Sequence, residues 1–176
     1  IEATSNDGMP ARAVQLAKTF GADVTGVCST RNVDLVRSLG ADQVIDYTKE
    51  DFTKTGQRYD VILDNVGNHS LSEFRHLLNP KGKYVMIGGG GLNDGRWIGA
   101  LGRPIGAFAS SPFVSQDMGM LLAQLNNNDL TILSELIQAG KVTPVIDRSY
   151  RLSEVPAAIR YLEEGHARGK VVISFE

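Results

Sequence analysis

The polar triplet at residues 29–31 carries the most informative chemistry in this sequence. Ser29, Thr30 and Arg31 directly follow an apolar run that ends at Cys28. Many nucleotide-binding folds place an acidic residue here, where it accepts hydrogen bonds from ribose hydroxyls. Two hydroxyl groups and a guanidinium suit a phosphate instead, because arginine can bind a phosphate through two parallel hydrogen bonds. The triplet predicts a ribose 2′-phosphate site, as for NADP, although a capped helix start with an exposed arginine would use the same residues.

Two further segments have the composition of ligand-binding loops. The sequence DNVG at residues 64–67 follows an apolar run, and its Asn65 offers both a donor and an acceptor. The glycine run at 88–91 follows the next apolar run and has no side chains to block a flat ligand. Either segment could equally be an ordinary turn or loop. In a doubly wound sheet, ligands bind at the carboxyl ends of the strands, so all three segments would line one site.

Alternating strand and helix patterns place these segments at strand ends. Apolar residues recur at helical spacing before Gly21 and before Gly40, and glycine is common where helices end. Between the helical patterns lie runs rich in Val and Ile that are too short for helices, and they predict strands buried on both faces. The predicted strands are residues 23–29, 43–47, 59–67 and 83–90.

Helix-start signals complete the order of elements. Ser70 and Glu73 form a capping box ahead of a helical pattern that Pro80 would end. Further helix starts are predicted at Asn32, Asn128 and Ser153. Residues 118–123 and the tail at 141–176 add further strand patterns. The order predicts an α/β fold with a doubly wound parallel sheet in three layers, as one domain over 1–176.

Composition and charge exclude several kinds of partner. The formal net charge of -2 provides no cationic field for nucleic acid, and no stretch has enough large apolar residues to span a membrane. The single cysteine, Cys28, excludes an intramolecular disulfide and fits a reducing compartment, so we expect a cytoplasmic protein. His69, His76 and His166 have neither zinc-ligand spacing nor a Ser-His-Asp order, which predicts surface roles and no zinc.

Several motifs occur in order and carry a family resemblance. They are residues 13–52, YDVILDNVG (59–67), LLNPKGKYVMIGGG (77–90), IQAGKVTPVID (137–147) and ARGKVVISF (167–175). Together they resemble the cofactor-binding half of the medium-chain dehydrogenase/reductase family, in its zinc-independent quinone oxidoreductase-like branch. The resemblance covers residues 13–176. It implies a Rossmann domain that binds NADPH, whose hydride passes to a quinone or an activated alkene.

The resemblance also implies roles for individual residues. Ser29 and Arg31 match the contacts to the 2′-phosphate, and Tyr47 matches a residue beside the adenosine. Asn65 matches a contact near the middle of the cofactor, and Lys170 is a second phosphate candidate. The nicotinamide-side residues are Gly88, Gly89, Gly90 and Leu122. The other residues assigned to the cofactor are Gly8, Met9 and Thr30.

Two features depart from the family pattern. The sequence TSNDGMP at residues 4–10 replaces a glycine-rich turn, keeps only Gly8 in register, and brings Asp7 towards the expected pyrophosphate. The family's N-terminal catalytic domain, which supplies most of the substrate pocket, has no counterpart. We therefore expect a fragment with little or no turnover by itself, in which residues 141–176 form the family's C-terminal segment.

The sequence leaves three functions open. The first is the NADPH-binding portion of an oxidoreductase, whose small-molecule substrate would bind through the missing domain. The altered turn at residues 4–10 suggests an alternative, a non-catalytic dinucleotide-binding or interaction module. A methyltransferase-like domain also fits residues 59–67 and 77–90, although no acid follows the strand at 23–29 to bind ribose hydroxyls.

The apolar run MGMLLA at residues 118–123 predicts self-association. It is free of proline and has the pattern of an exposed edge strand, and such an edge tends to find a partner. This run corresponds to the sixth strand of the resembling family, which commonly pairs with its counterpart in a second subunit across a two-fold axis. We expect a homodimer, unless the segment at 97–112 covers this edge and leaves a monomer.

Overall fold

Helices and parallel strands alternate along the chain. We describe residues 9–67, 69–87, 116–120, 126–165 and 167–175 of a computed structural model. The helices are α1 (Met9–Thr19), α2 (Val33–Ser38), α3 (Leu71–Leu77), α4 (Asn127–Gln138) and α5 (Val155–Glu163). The strands are β1 (Thr25–Cys28), β2 (Gln43–Asp46), β3 (Tyr59–Asp64), β4 (Leu78–Met86), β5 (Asp117–Met120), β6 (Ile146–Arg151) and β7 (Lys170–Ser174). Short 3₁₀ turns span Thr30–Asn32, Phe52–Lys54 and Leu152–Glu154.

Every strand pair in the described ranges is parallel. β1 pairs with β2, β4 lies between β3 and β5, and β6 pairs with β7. This confirms the α/β, Rossmann-like fold class. Backbone hydrogen bonds join the described strands into three sheets rather than one. The first two sheets meet instead through side chains, because Val27, Ile45 and Ile62 pack in one buried cluster.

Two apolar clusters form the described core. The larger one is centred on the fully buried side chains of Phe74, Leu78 and Tyr84. The smaller one joins α1 and α2 to β1 through buried aliphatic residues. Gly26 permits this packing, because a Cβ atom there would lie 2.4 Å from Cγ1 of Val36. Glycine in β1 therefore lets α2 approach the strand closely.

Helix caps agree with the sequence at one position and differ at others. The Ser70–Glu73 capping box is confirmed: the Glu73 amide donates to Oγ of Ser70 at 3.3 Å, and the Ser70 amide donates to Oε2 of Glu73 at 2.7 Å. The prediction of an Asn128 cap is wrong, because the Asn126 side chain accepts from the Asp129 amide and starts α4 two residues earlier. Asn32 precedes α2 without a side-chain capping bond.

The predicted bounds near Ser153 and Pro80 also differ. Ser153 lies in a 3₁₀ turn, and α5 begins only at Val155. Pro80 does not end α3, which has already stopped at Leu77; it lies within β4, where the register shifts against β3. Lys81 there has a φ of 67°, which is the left-handed region expected at an irregularity of this kind.

Burial differs from the apolar patterns in several places. β2 and β3 are not buried on both faces: Gln43 is exposed, and Val61 is 46% exposed. Their carboxyl halves enter the core, whereas their first residues lie towards the solvent. Phe20, which follows the last residue of α1, is 80% exposed. Leu130 and Ile137 of α4 are also exposed.

Some predictions lie outside the described residues. These include Gly8, Gly88, Gly89, Gly90, Leu122, His166 and the segment 97–112. In the ranges that the structure describes, no helix is long and apolar enough to cross a membrane.

Candidate functional site

The paired strands β1 and β2 end side by side and place polar turns there. β1 and β2 are in register so that Cys28 lies opposite Asp46. The Tyr47 amide donates to the Cys28 carbonyl at 3.1 Å, which continues the pairing one residue beyond the strand. Residues 29–31 and Tyr47 therefore emerge side by side at the carboxyl edge of this sheet, and the strand-end position of residues 29–31 agrees with the sequence pattern.

Asp46 ties the two turns together. Its Oδ2 accepts a hydrogen bond from the Thr30 hydroxyl at 2.6 Å, and its Oδ1 accepts from the Thr48 hydroxyl at 2.7 Å and the Thr48 amide at 3.1 Å. The Lys49 ammonium lies 3.1 Å from Oδ2. Hydrogen bonds from Thr30 first, and then from Thr48, hold the pKa of Asp46 well below its usual range. The carboxylate is thus an ionised anchor that holds the turn after β1.

The Thr30 hydroxyl is therefore engaged within the protein. It and the Thr48 hydroxyl each donate their single hydrogen to Asp46, and their oxygens lie 2.9 Å apart. A phosphate at this turn would find its donors on Ser29 and Arg31, since Thr30 has no second hydrogen to offer. Thr30 positions the turn, whereas the sequence pattern suggests a direct contact.

Arg168 reaches the same turn from the far end of the chain. Its Nη1 donates to the Arg31 carbonyl at 3.2 Å, across 137 positions of sequence. A second guanidinium therefore lies beside the triplet. Lys170, the phosphate candidate from the sequence, begins β7, where its amide donates to the Val145 carbonyl at 2.7 Å.

Asp64 organises the turn after β3. It is fully buried, and its Oδ1 accepts from the amides of Val66 at 2.9 Å and Gly67 at 2.8 Å. Its Oδ2 accepts from the Tyr84 hydroxyl at 2.6 Å. Gly67 has a φ of 70°, a conformation that favours glycine. Asn65 is half-buried in this turn, so its place at a strand end agrees with the sequence pattern.

An open cavity of about 330 Å³ adjoins Tyr47 and is lined by residues 47–52 and His69. Tyr47 is 48% exposed, so its ring is accessible to a ligand beside the turn. His69 differs from the predicted surface role. Its ring lies 4.9 Å from that of Phe52, and Nδ1 lies 3.6 Å from a Glu73 carboxylate oxygen. This edge-to-face contact with a core aromatic ring accounts for its partial burial.

The described residues offer no metal centre or reactive thiol. No group of three or more His, Cys, Asp or Glu side chains in them is placed to hold a metal ion. Burial, and then the nearby Asp46, raise the pKa of Cys28 to about 11. The thiol is therefore protonated at neutral pH and is a poor nucleophile.

The site contains residues that sequence reasoning missed. Asp46 and Thr48 flank Tyr47 in the sequence. The acidic residue near the end of this apolar run could have indicated that Asp46 belongs to the site. Arg168 had no local signal, because only folding brings it to Arg31. The structure therefore brings Ser29, Arg31 and Tyr47 together with residues that the sequence did not indicate, which are Asp46, Thr48 and Arg168. Asn65 lies separately, directly after β3.

A family comparison agrees with this arrangement. The sequence model described as "Zinc-binding dehydrogenase" matches residues 39–173. The chain belongs to the medium-chain dehydrogenase/reductase family. This confirms the resemblance to that family found in the sequence.

Individual members of the medium-chain dehydrogenase/reductase family extend the match towards the first residues. A mitochondrial NAD(P)H oxidoreductase of Mus musculus is 33% identical over 97% of this chain and 46% of its own length. A chloroplastic NADPH-dependent alkenal/one oxidoreductase of Arabidopsis thaliana is 35% identical over 94% of this chain and 38% of its own length.

A solved member of the family has the same fold. The quinone oxidoreductase from Coxiella burnetii superposes with a TM-score of 0.78 and 30% identity, covering 99% of this chain and 52% of that one. The chain thus spans about half the length of the relatives it matches, and these relatives are named as oxidoreductases.

Proposed function

We propose that this chain is the NADPH-binding portion of an oxidoreductase that reduces a quinone or an activated alkene or carbonyl compound. Bound NADPH would supply the hydride, and the protein would hold and orient it. Ser29 and Arg31 bind the 2′-phosphate, Tyr47 lies beside the adenosine, and Asn65 lies nearer the middle of the cofactor. The substrate is a small molecule held mainly by a catalytic domain, so low turnover is expected from these 176 residues alone.

The observation that carries the proposal is the turn at residues 29–31. It follows β1 at the edge of the sheet, with an exposed Arg31 and no acidic residue of its own. The nearby Asp46 is engaged by Thr30, Thr48 and Lys49, so much of its charge is balanced locally. The guanidinium of Arg168 adds positive charge beside Arg31. This environment favours a dianionic phosphate over an uncharged ribose edge.

The printed names of the relatives support a nicotinamide cofactor. One is called an NAD(P)H oxidoreductase and another NADPH-dependent, whereas a third is a quinone oxidoreductase. The choice of NADPH over NADH rests on the turn at 29–31. The cytoplasmic location and the homodimer expected from the sequence stay predictions.

Ligand titration of the purified chain tests the proposal. We expect NADPH to bind at least tenfold more tightly than NADH, since a charge-assisted hydrogen bond contributes about 1.5–3 kcal/mol. Adenosylmethionine should bind negligibly. Equal affinity for the two dinucleotides would contradict the NADPH assignment, and tight binding of adenosylmethionine would favour the methyltransferase-like alternative.

A further inference from the structure

The turn at residues 167–170 is held from both sides. Oδ2 of Asp147 accepts from the Tyr161 hydroxyl at 2.5 Å and from the Arg168 amide at 3.1 Å. After Arg168, a Cβ atom at Gly169 would lie 2.5 Å from the Val145 carbonyl oxygen, so glycine permits a close approach of two backbone segments. Arg168 is thereby presented from a constrained turn.

Tyr161 is itself held in place. The guanidinium of Arg148 lies 3.9 Å above its ring, within the range of a cation–π contact. The hydrogen bond to Asp147 raises the pKa of Tyr161, so the hydroxyl remains protonated and continues to donate near neutral pH. Side chains from β6 and α5 therefore determine where the Arg168 backbone lies.

Arg168 connects this constrained segment to the turn at residues 29–31. Its Nη1 donates to the Arg31 carbonyl at 3.2 Å, while the Asp46 carboxylate binds the Thr30 hydroxyl at 2.6 Å. Successive residues of the turn are thus fixed by anchors from two distant parts of the chain. Fixing the peptide that carries Arg31 reduces the ordering cost of placing its guanidinium on a phosphate.

We propose that Asp147, Tyr161 and Arg168 are positioning residues for the turn at 29–31, and that they strengthen its preference for nucleotides with a 2′-phosphate. This inference rests on the proposed function for its consequence in binding. Its structural part, a coupling between the C-terminal turn and the turn at 29–31, holds independently of any ligand.

Amide hydrogen exchange of the ligand-free chain tests the coupling. The reporter is Asn32, whose amide donates to the Ser29 carbonyl at 2.9 Å and closes the turn. Arg168→Ala should speed its exchange by about two- to tenfold, which corresponds to the net worth of one hydrogen bond. Arg160→Ala is the matched control, because this exposed arginine lies in α5 of the same segment.

Three further variants separate positioning from general destabilisation. Tyr161→Phe keeps the ring under Arg148 but removes the donor to Asp147, so a smaller increase in exchange is expected. Arg168→Lys keeps a donor and should restore part of the protection. Asp147→Ala should behave as Arg168→Ala does; if it unfolds the chain, Arg168→Ala decides, because that side chain is at the surface.

Binding of 2′,5′-ADP and 5′-AMP tests the consequence. These probes differ by the 2′-phosphate, so the ratio of their dissociation constants isolates its recognition. Arg168→Ala should lower the preference for 2′,5′-ADP by about two- to tenfold while the affinity for 5′-AMP stays constant. Arg160→Ala should leave the ratio unchanged, and Arg168→Lys should recover part of it.

The outcomes separate this inference from the proposed function. A wild-type chain without preference for 2′,5′-ADP would refute the NADPH assignment and the binding consequence, and the exchange data would still decide the coupling. Unchanged Asn32 exchange in Arg168→Ala would overturn the positioning role even if the wild type prefers 2′,5′-ADP. Equal loss of both probes in Arg168→Ala would also overturn it.

Discussion

Individual side chains at the turn at residues 29–31 make different contacts despite their similar chemistry. Ser29 and Thr30 both carry hydroxyls, yet that of Thr30 donates to Asp46. Arg31 is exposed beside them, and its backbone carbonyl accepts a hydrogen bond from Arg168. In the proposed NADPH site, recognition of the phosphate would therefore fall mainly to Ser29 and Arg31, whereas Thr30 and Arg168 hold the turn in place.

Arg31→Ala should weaken NADPH binding selectively. Removing the charge-assisted hydrogen bond is expected to cost about 1.5–3 kcal/mol of binding free energy. NADH affinity should change little, because that cofactor has no 2′-phosphate. Calorimetric titration with both cofactors measures the effect, with Arg37→Ala as the control because Arg37 is exposed on α2. An equal loss for the two cofactors would show that Arg31 has another role.

Asp46→Asn should alter how stability depends on pH. The folded pKa of Asp46 is depressed, chiefly by the hydrogen bond from Thr30, so its ionised form stabilises the fold above the unfolded pKa of about 4. This stability is lost as pH falls below that value towards the folded pKa. Urea unfolding should show a stability gap between wild type and variant at pH 7 that narrows by pH 3.

The exposed Asp34 supplies the control for this pH dependence. Its carboxylate makes only a 3.4 Å ion pair with Arg37 in the described residues. Asp34→Asn should leave the pH profile close to that of the wild type. If the difference in unfolding free energy between the wild type and Asp46→Asn stays constant from pH 7 to pH 3, the pKa of Asp46 is not depressed.

Neighbouring strands are locked to each other by a buried polar pair. Tyr84 in β4 is 1% exposed, and its hydroxyl donates to the fully buried Asp64 at the end of β3. The same carboxylate holds the amides of Val66 and Gly67, so strand pairing and turn geometry share one anchor. The turn that carries Asn65 thus depends on a side chain from the next strand.

Tyr84→Phe should destabilise the chain by about 1–3 kcal/mol, because a buried carboxyl oxygen loses its donor while the ring remains. Chemical denaturation measures this. Tyr59→Phe is the matched control, since its hydroxyl donates to an exposed oxygen of Gln57 at 2.8 Å. Equal effects of the two variants would mean that burial of the bond does not matter.

Distant parts of the whole molecule are joined by a few specific bonds. Gln15 in α1 is 8% exposed; it donates to the Thr143 carbonyl at 3.0 Å and accepts from the Thr143 amide at 2.6 Å. This pair links segments 128 residues apart, much as Arg168 and Arg31 link others. The C-terminal segment is thereby attached to α1 as well as to the turn at residues 29–31.

Gln15→Ala should lower the free energy of unfolding by about 1–3 kcal/mol, the sum for its two hydrogen bonds to Thr143. It should also speed exchange of the Thr143 amide. Gln138→Ala serves as the control, because among the described residues that side chain bonds only to Ser134 on the exposed face of α4. A Thr143 amide that exchanges as in the wild type would refute this link.

Self-association also concerns the molecule as a whole. Among the described strands β5 pairs only with β4, so one of its edges has no strand beside it there. We expect a dimer in light scattering at micromolar concentration, and Leu121→Lys should shift it to monomer because charge disfavours strand pairing at an edge. Leu130→Lys, on an exposed position of α4, should have no effect. A monomeric wild type would contradict the prediction.

Local patterns determined the helices and strands and pointed to the candidate site residues, while contacts between distant segments decided how those residues are arranged. The capping box at Ser70 and the parallel strands followed from short-range spacing, because caps and apolar runs depend on neighbouring residues. The polar triplet pointed to phosphate for the same reason. The engagement of Thr30 by Asp46 and the reach of Arg168 to Arg31 came only from tertiary structure, since they depend on how β1, β2 and β7 are placed. Which apolar residues are buried also depended on the tertiary structure, because an apolar pattern indicates one face of a helix but not whether another element covers that face. Leu130 and Ile137 of α4 fit such a pattern and are exposed.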